Sequence, residues 1–166
     1  MSQTDQPSVS PRIYAISPIV QRVSRSGRLV AAIIAAGCLA ALATAVFVTP
    51  SPTGVSSHES IGLARCQFLA TSGIPCPSCG MTTSFAHFVR GNLAASLWVQ
   101  PMGTLLAFTA GIAFWAGLYI AVTGKPVHRL VRGMPSLYYV VVPVGVGIAA
   151  WAWKIFIHVR GTGGWG

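Results

Sequence analysis

The side chains best suited to chemistry are Cys66, Cys76, Cys79 and His87, with Cys76 and Cys79 three residues apart in the stretch GIPCPSCG, Gly73 to Gly80. A Cys-x-x-Cys pair supports three kinds of chemistry. As a redox pair, Cys76 would attack and Cys79 resolve, because a thiol at a helix N-terminus is stabilised as thiolate by unpaired N–H groups and the helix dipole. As half of a metal clip, the pair could join Cys66 and His87 in a Cys₃His set for zinc. As a structural element, the cysteines could form a disulfide, with Cys66 paired to one of the two, or a proline-rich turn that fixes where a helix begins.

Local signals place the pair. Pro77 reads as the first position of a helix and Cys76 as its N-cap, since proline's missing N–H would be unpaired there in any case. That helix is expected to run to about Val89, where Gly91 and Asn92 stop it; Asn92 would cap another short helix, Leu93 to Val99, ending before Pro101. A short interfacial helix is expected earlier, over Ile61 to Leu69, broken by Thr71-Ser72-Gly73. At helical spacing, Cys76, Cys79, Thr83, His87 and Arg90 share an arc of about 80°, opposite Met81, Phe85 and Phe88.

The elements that must position this segment are membrane helices. Of 166 residues, 53% are hydrophobic and 8% charged, a membrane protein's balance. Uncharged apolar runs cover 29–48 and about 104–123; a third, 137–157, contains Pro143 and carries Lys154 near its end. About 20 helical residues cross a hydrocarbon core of roughly 30 Å. A membrane helix tolerates a proline, and a terminal lysine can snorkel to the headgroups. The expected fold is therefore all-α and polytopic, with about three transmembrane helices and short interfacial or re-entrant helices between the first and second. Its parts are a basic tail (1–28), the first span (29–48), an outer segment (49–103), the second span (104–123), a basic loop (124–136), the third span (137–157) and a Gly-rich tail (158–166). The first span is longer than a signal-peptide core, so it is expected to be retained despite the Ala43-x-Ala45 pattern near its end.

Lys and Arg number 11 against two acids, Asp5 and Glu59, giving a formal charge of +9. Arg12, Arg22, Arg25, Arg28, Lys125, Arg129 and Arg132 flank one side of the spans; Arg65, Arg90, Lys154 and Arg160 fall on the other. The richer side is expected to be cytoplasmic, which puts the cysteine motif on the outer face of a bacterial cytoplasmic (inner) membrane. Charge placed beside apolar spans points to the lipid bilayer, anionic lipids included, and away from nucleic acid. Small residues repeat at Ala32, Ala36 and Ala40, at Gly37, Ala41 and Ala45, and at Ala113, Gly117 and Ala121. These seams suit close helix packing, either within the chain or with a membrane-protein partner or a second copy. Cys38, inside the first span, reads as a small packing residue.

The run Gly73-Ile-Pro-Cys-Pro-Ser-Cys-Gly-Met-Thr82, an aromatic-rich helix, Gly91-Asn-Leu-Ala-Ala-Ser-Leu97 and a proline leading into a span resemble a bacterial integral-membrane family of unknown function, marked by Cys-Pro-x-Cys-Gly-x-Thr. The resemblance covers about residues 60 to 123. Members commonly carry Arg after the signature threonine, where this chain has Thr83. The resemblance implies a membrane location and supplies no reaction.

Other catalytic schemes lack their residues. Two acids, one of them in the tail, exclude a carboxylate pair. His58-Glu59 has no second histidine at zinc-protease spacing, and neither a Gly-x-Ser-x-Gly elbow nor a phosphate loop occurs. Spans almost free of ionisable groups argue against transport by a single chain. The residues thus point away from an enzyme and towards a membrane or assembly component with a structural cysteine turn. Thiol-disulfide redox through Cys76 and Cys79, and zinc binding, stand as alternatives.

Overall fold

The structure, a computed structural model, describes residues 22–57, 59, 62, 64, 66–127 and 138–163. Six helices follow in order: α1 (Arg25–Phe47), α2 (Gln67–Ser72), α3 (Met81–Val89), α4 (Leu93–Val99), α5 (Pro101–Thr123) and α6 (Tyr138–Val159), with no strand among the described residues. The expected all-α class is what is found: α1, α5 and α6 are long and apolar enough to cross a membrane, and the short helices lie between the first and second of them. Large apolar side chains such as Ile33, Phe47, Trp115, Val122 and Val144 are exposed on these helices. An aqueous surface would not carry them, whereas lipid solvates them; the chain is a multi-pass membrane protein in contact with lipid.

Local signals set the helix ends. Ser24 caps α1, its side chain accepting from the Gly27 N–H. Pro101 opens α5, and Gly124, in the left-handed region, closes it by donating its N–H to Ile120 O. α6 continues through Pro143. The tail up to residue 21, the loop carrying Arg129 and Arg132, and Ile61, Arg65 and His58 lie outside the described residues.

α1 and α5 pack as an antiparallel pair. At one end the Val23 N–H donates to Gly124 O at 2.8 Å, and the Arg28 guanidinium donates to Ala121 O at 2.9 and 2.6 Å and to Val122 O at 3.1 Å. These carbonyls end α5 and have no partners within their own helix, so Arg28 satisfies them. Midway, Gly117 meets α1 so closely that a Cβ there would stand 2.8 Å from Ala31 O and 3.1 Å from Ala35 Cβ. The seam on α1 is therefore Ala31, Ala35 and Ala45, which are buried, while Ala32, Ala36, Gly37, Ala40 and Ala41 stay exposed. The expected register of small residues on α1 is thus shifted by one position except at Ala45, because the α1–α5 crossing is set where Gly117 lets the backbones touch.

At the other end of the pair the short helices form a cap. Arg90 reaches back from the end of α3 and donates to Ala45 O, Val46 O and Val48 O at 3.4, 3.0 and 2.9 Å, closing the C-terminus of α1. Ser84, Ser96 and Thr104 join α3, α4 and α5 through a buried hydroxyl cluster with oxygen separations of 2.9, 3.1 and 2.7 Å. Hydroxyls buried in this way must bond one another or nearby carbonyls, and that requirement fixes the register of the three helices. α6 is held to the same cap: Trp153 Nε1 donates to Trp98 O at 2.9 Å, and Trp98 Nε1 donates to Thr162 O at 3.0 Å.

Candidate thiol centre

The cysteine segment does not begin a helix at Pro77. The Cys79 N–H donates to Cys76 O at 3.0 Å and the Met81 N–H to Ser78 O at 3.1 Å, so residues 76–80 form a tight turn. Helix α3 starts only at Met81, with Gly80 as its N-cap at φ 88°. The expectation of Cys76 as N-cap is corrected here. The chain must first reverse through Gly80, whose left-handed backbone a side chain would strain. Space forbids a side chain as well, since a Cβ on Gly80 would lie 2.8 Å from Gly54 O and 2.8 Å from Lys154 Nζ.

The reversal brings three of the four expected residues together. Cys66, at the N-cap of α2, returns to the turn, and the sulfur separations are 3.6 Å for Cys66–Cys76, 3.2 Å for Cys76–Cys79 and 3.5 Å for Cys79–Cys66. All three thiols are free, as is Cys38 in α1, far along the chain from them. His87 does not join the group, which consists of Cys66, Cys76 and Cys79. It lies late in α3, where burial first and the Arg90 charge second lower its pKa below the usual histidine value. The single polar arc expected for this helix is also divided. Thr83 is buried, its hydroxyl 2.7 Å from that of Ser57, and Arg90 caps α1.

The three thiols differ in environment. At Cys76, burial pushes the pKa up, but hydrogen bonds from the Ser78 hydroxyl, from Cys79 and Cys66, and from the Ser78 backbone outweigh it and bring the thiol from 9.0 to about 7. Cys79 is only 5% exposed. Its burial, with hydrogen bonding to Cys76 and Cys66, pushes its pKa up to about 12. A half-buried thiol that ionises easily thus stands against a buried one that does not, with a third in reach.

Three further contacts hold this turn. Gln100, fully buried, donates Nε2 to Pro77 O at 3.0 Å, while its Oε1 has no hydrogen-bond partner among the described residues. Trp151 Nε1 donates to Pro75 O at 3.0 Å. Lys154 Nζ donates to Gly54 O at 2.8 Å and Val99 O at 3.1 Å, and the residue is 0% exposed. The sequence reading had this lysine snorkelling to headgroups; it turns inward to the cap instead. The signal that could have marked it is a lone ionisable residue inside an apolar span, which is a functional-site hypothesis by default. Gln100 and Trp151 carried no comparable signal.

No curated protein and no solved structure matches the chain. Over residues 66–114, which open on Cys66, contain the whole thiol turn and end inside α5, the chain is similar to the family described as a protein of unknown function (DUF2752).

Proposed function

We propose that this is a non-enzymatic component of the bacterial cytoplasmic membrane in which Cys66, Cys76 and Cys79 hold a zinc-class metal ion on the cap. The observation that carries the reading is the near-equal triangle of sulfurs, 3.2 to 3.6 Å on a side. Sulfurs of a tetrahedral zinc site with bonds of about 2.3 Å lie roughly 3.7 Å apart, close to these separations, whereas a disulfide would draw one pair to about 2.05 Å and leave the third thiol over. The donor set fits: soft thiolates suit zinc and copper(I) and disfavour magnesium or calcium. Cys66, Cys76 and Cys79 would be the ligands, and the ion would supply a cross-link between the two ends of the 66–79 loop, contributing its binding free energy to folding of the cap. Among the described residues, His87 included, no fourth ligand joins the three thiols.

The proposed orientation puts the cap on the outer face. Of the four basic residues on that side, Arg90 and Lys154 are occupied by backbone carbonyls within the fold, which leaves Arg65 and Arg160 to weigh against six on the other side, where Arg28 is occupied in the same way. This sharpens the positive-inside bias.

The test is metal analysis of the full chain purified in detergent without chelator. About one zinc per chain is expected, lost in Cys66→Ser, Cys76→Ser and Cys79→Ser and kept in His87→Ala. Metal-free protein that also fails to take up added zinc would overturn the reading.

A second reading rests on the split between Cys76 at about 7 and Cys79 at about 12. In it, Cys76 thiolate attacks a disulfide of a partner protein and expels one partner thiolate; Cys79 thiol, losing its proton, then attacks the mixed disulfide and expels the second. The products are a Cys76–Cys79 disulfide and a reduced partner dithiol. A mixed disulfide trapped on Cys76 in the Cys79→Ser variant would favour this reading over the metal one.

A further inference from the structure

We propose that Lys154 is the buried counter-cation of the thiolate centre, a positioning residue that compensates the charge the metal site acquires when it is loaded. The inference rests on the metal reading above. Lys154 is 0% exposed although it carries an ammonium group, and its hydrogen bonds are to two backbone carbonyls, Gly54 O at 2.8 Å and Val99 O at 3.1 Å. An ammonium has three protons to donate, so one of them is left without an acceptor among the described residues. A buried cation needs a compensating anion, and among the described residues the one acidic side chain, Glu59, is exposed. Lys154 lies against the thiol turn: Nζ stands 2.8 Å, and Cε 3.0 Å, from where a Cβ on Gly80 would sit, and Gly80 directly follows Cys79.

Charge accounting joins the two observations. Three thiols that give up their protons to a dication leave a centre with one net negative charge. Lys154 brings the buried total to zero. The cap thus brings to the thiol turn a cation with no carboxylate beside it among the described residues, next to a ligand set that becomes anionic on loading. Glycine at position 80 is what allows the two to approach.

The test is zinc affinity of the full chain in detergent, measured by competition with a chromophoric chelator, for wild type, Lys154→Met and Lys154→Arg. Lys154→Met keeps an unbranched side chain one atom shorter and removes the charge, and its zinc affinity is expected to fall about 10- to 100-fold, the usual range for losing an outer-shell partner of a metal site. Lys154→Arg is expected to stay within about threefold of wild type, because charge is retained. Cobalt(II) spectra of the saturated proteins should coincide, showing that the ligand geometry is intact. Lys154→Gln takes the place of the Met variant if that one does not accumulate folded. Lys154→Met matching wild type, or Met and Arg variants weakened alike, would overturn the counter-cation while leaving the metal site standing. Wild type that binds no zinc would overturn both.

Discussion

The indole N–H of Trp151 donates to the carbonyl oxygen of Pro75 at 3.0 Å, so the third membrane helix holds the residue immediately before Cys76. Trp151→Phe removes the donor and leaves most of the ring. We expect a loss of about 1 kcal/mol of stability, the usual net worth of a hydrogen bond, together with faster maleimide labelling of Cys76 in the reduced, metal-free protein. Labelling rates equal to wild type would show that the turn keeps its shape without α6.

Ionisation of the two motif thiols gives a signed pH dependence. In metal-free protein the alkylation rate of Cys76 should rise with a midpoint near pH 7, whereas Cys79, at about 12, should stay silent through neutral pH. The linkage follows from the same values. Cys76, lowered from 9.0 to about 7, adds stability that is present above pH 9 and lost as pH falls through 7. Cys79, raised to about 12, adds stability that is present below pH 9 and lost as pH climbs towards 12. Relative to the Cys76→Ser/Cys79→Ser double variant, the thiol contribution should therefore peak near pH 9. The check is the difference between the two proteins' melting temperatures across that range.

Arg90 should matter for fold rather than chemistry. Its guanidinium donates to Ala45, Val46 and Val48 carbonyls at the end of α1 and to Ala86 O at 2.7 Å. Arg90→Met strips four acceptors of a charged donor, and we expect a loss of roughly 2–4 kcal/mol. Lys in its place should recover little, since one ammonium cannot span carbonyls that a planar fork reaches. Denaturant unfolding in detergent measures both, and full recovery by lysine would refute the geometric argument.

Ser84→Ala tests the buried hydroxyl cluster. It removes the hydroxyl that stands 2.9 Å from Ser96 Oγ and 3.1 Å from Thr104 Oγ1. Ser96 and Thr104 retain each other at 2.7 Å, so the cost should be about 1–3 kcal/mol rather than collapse of the cap. Zinc content should be unchanged.

Gly80→Ala is expected to be harsher than its size suggests. The methyl group would need a left-handed backbone and would enter within 2.8 Å of both Gly54 O and Lys154 Nζ. We expect loss of zinc binding together with a lower melting temperature, whereas Gly91→Ala, which shares the positive-φ strain but has open space around it, should lower the melting temperature less and keep zinc binding.

Hydropathy made the three spans legible, because uncharged apolar runs of bilayer length admit few other structures. The end of the α3–α4 connection was legible too: Asn92 caps α4, its side chain accepting from the Ala95 N–H, as the Gly-Asn signal indicates. Cys76 and Cys79 announced themselves by spacing. Cys66 was offered as their partner by residue type alone; the path that returns it passes through Gly73 and Gly80, both at positive φ, which sequence did not reveal. The start of α3 was missed for a related reason. Pro77 is compatible with a first helical turn, but Gly80 breaks the backbone three residues later. His87 and Cys79 were grouped by helical periodicity, and that periodicity does not extend across Gly80. Lys154 was misplaced because a terminal lysine normally prefers water; only the Gly54 and Val99 carbonyls, brought there by the cap, make the inward route available.

The cap is made early and finished late. A chain leaves the ribosome from its N-terminus, so the cysteines emerge well before Trp151 and Lys154. Until α6 enters the bilayer, the carbonyls of Pro75, Gly54 and Val99 lack the donors that hold them. The thiols must therefore pass through a stage of synthesis in which they are assembled incompletely and open to whatever the compartment offers, oxidant or metal. Insertion of the third span closes that interval by supplying the Trp151 and Lys154 donors.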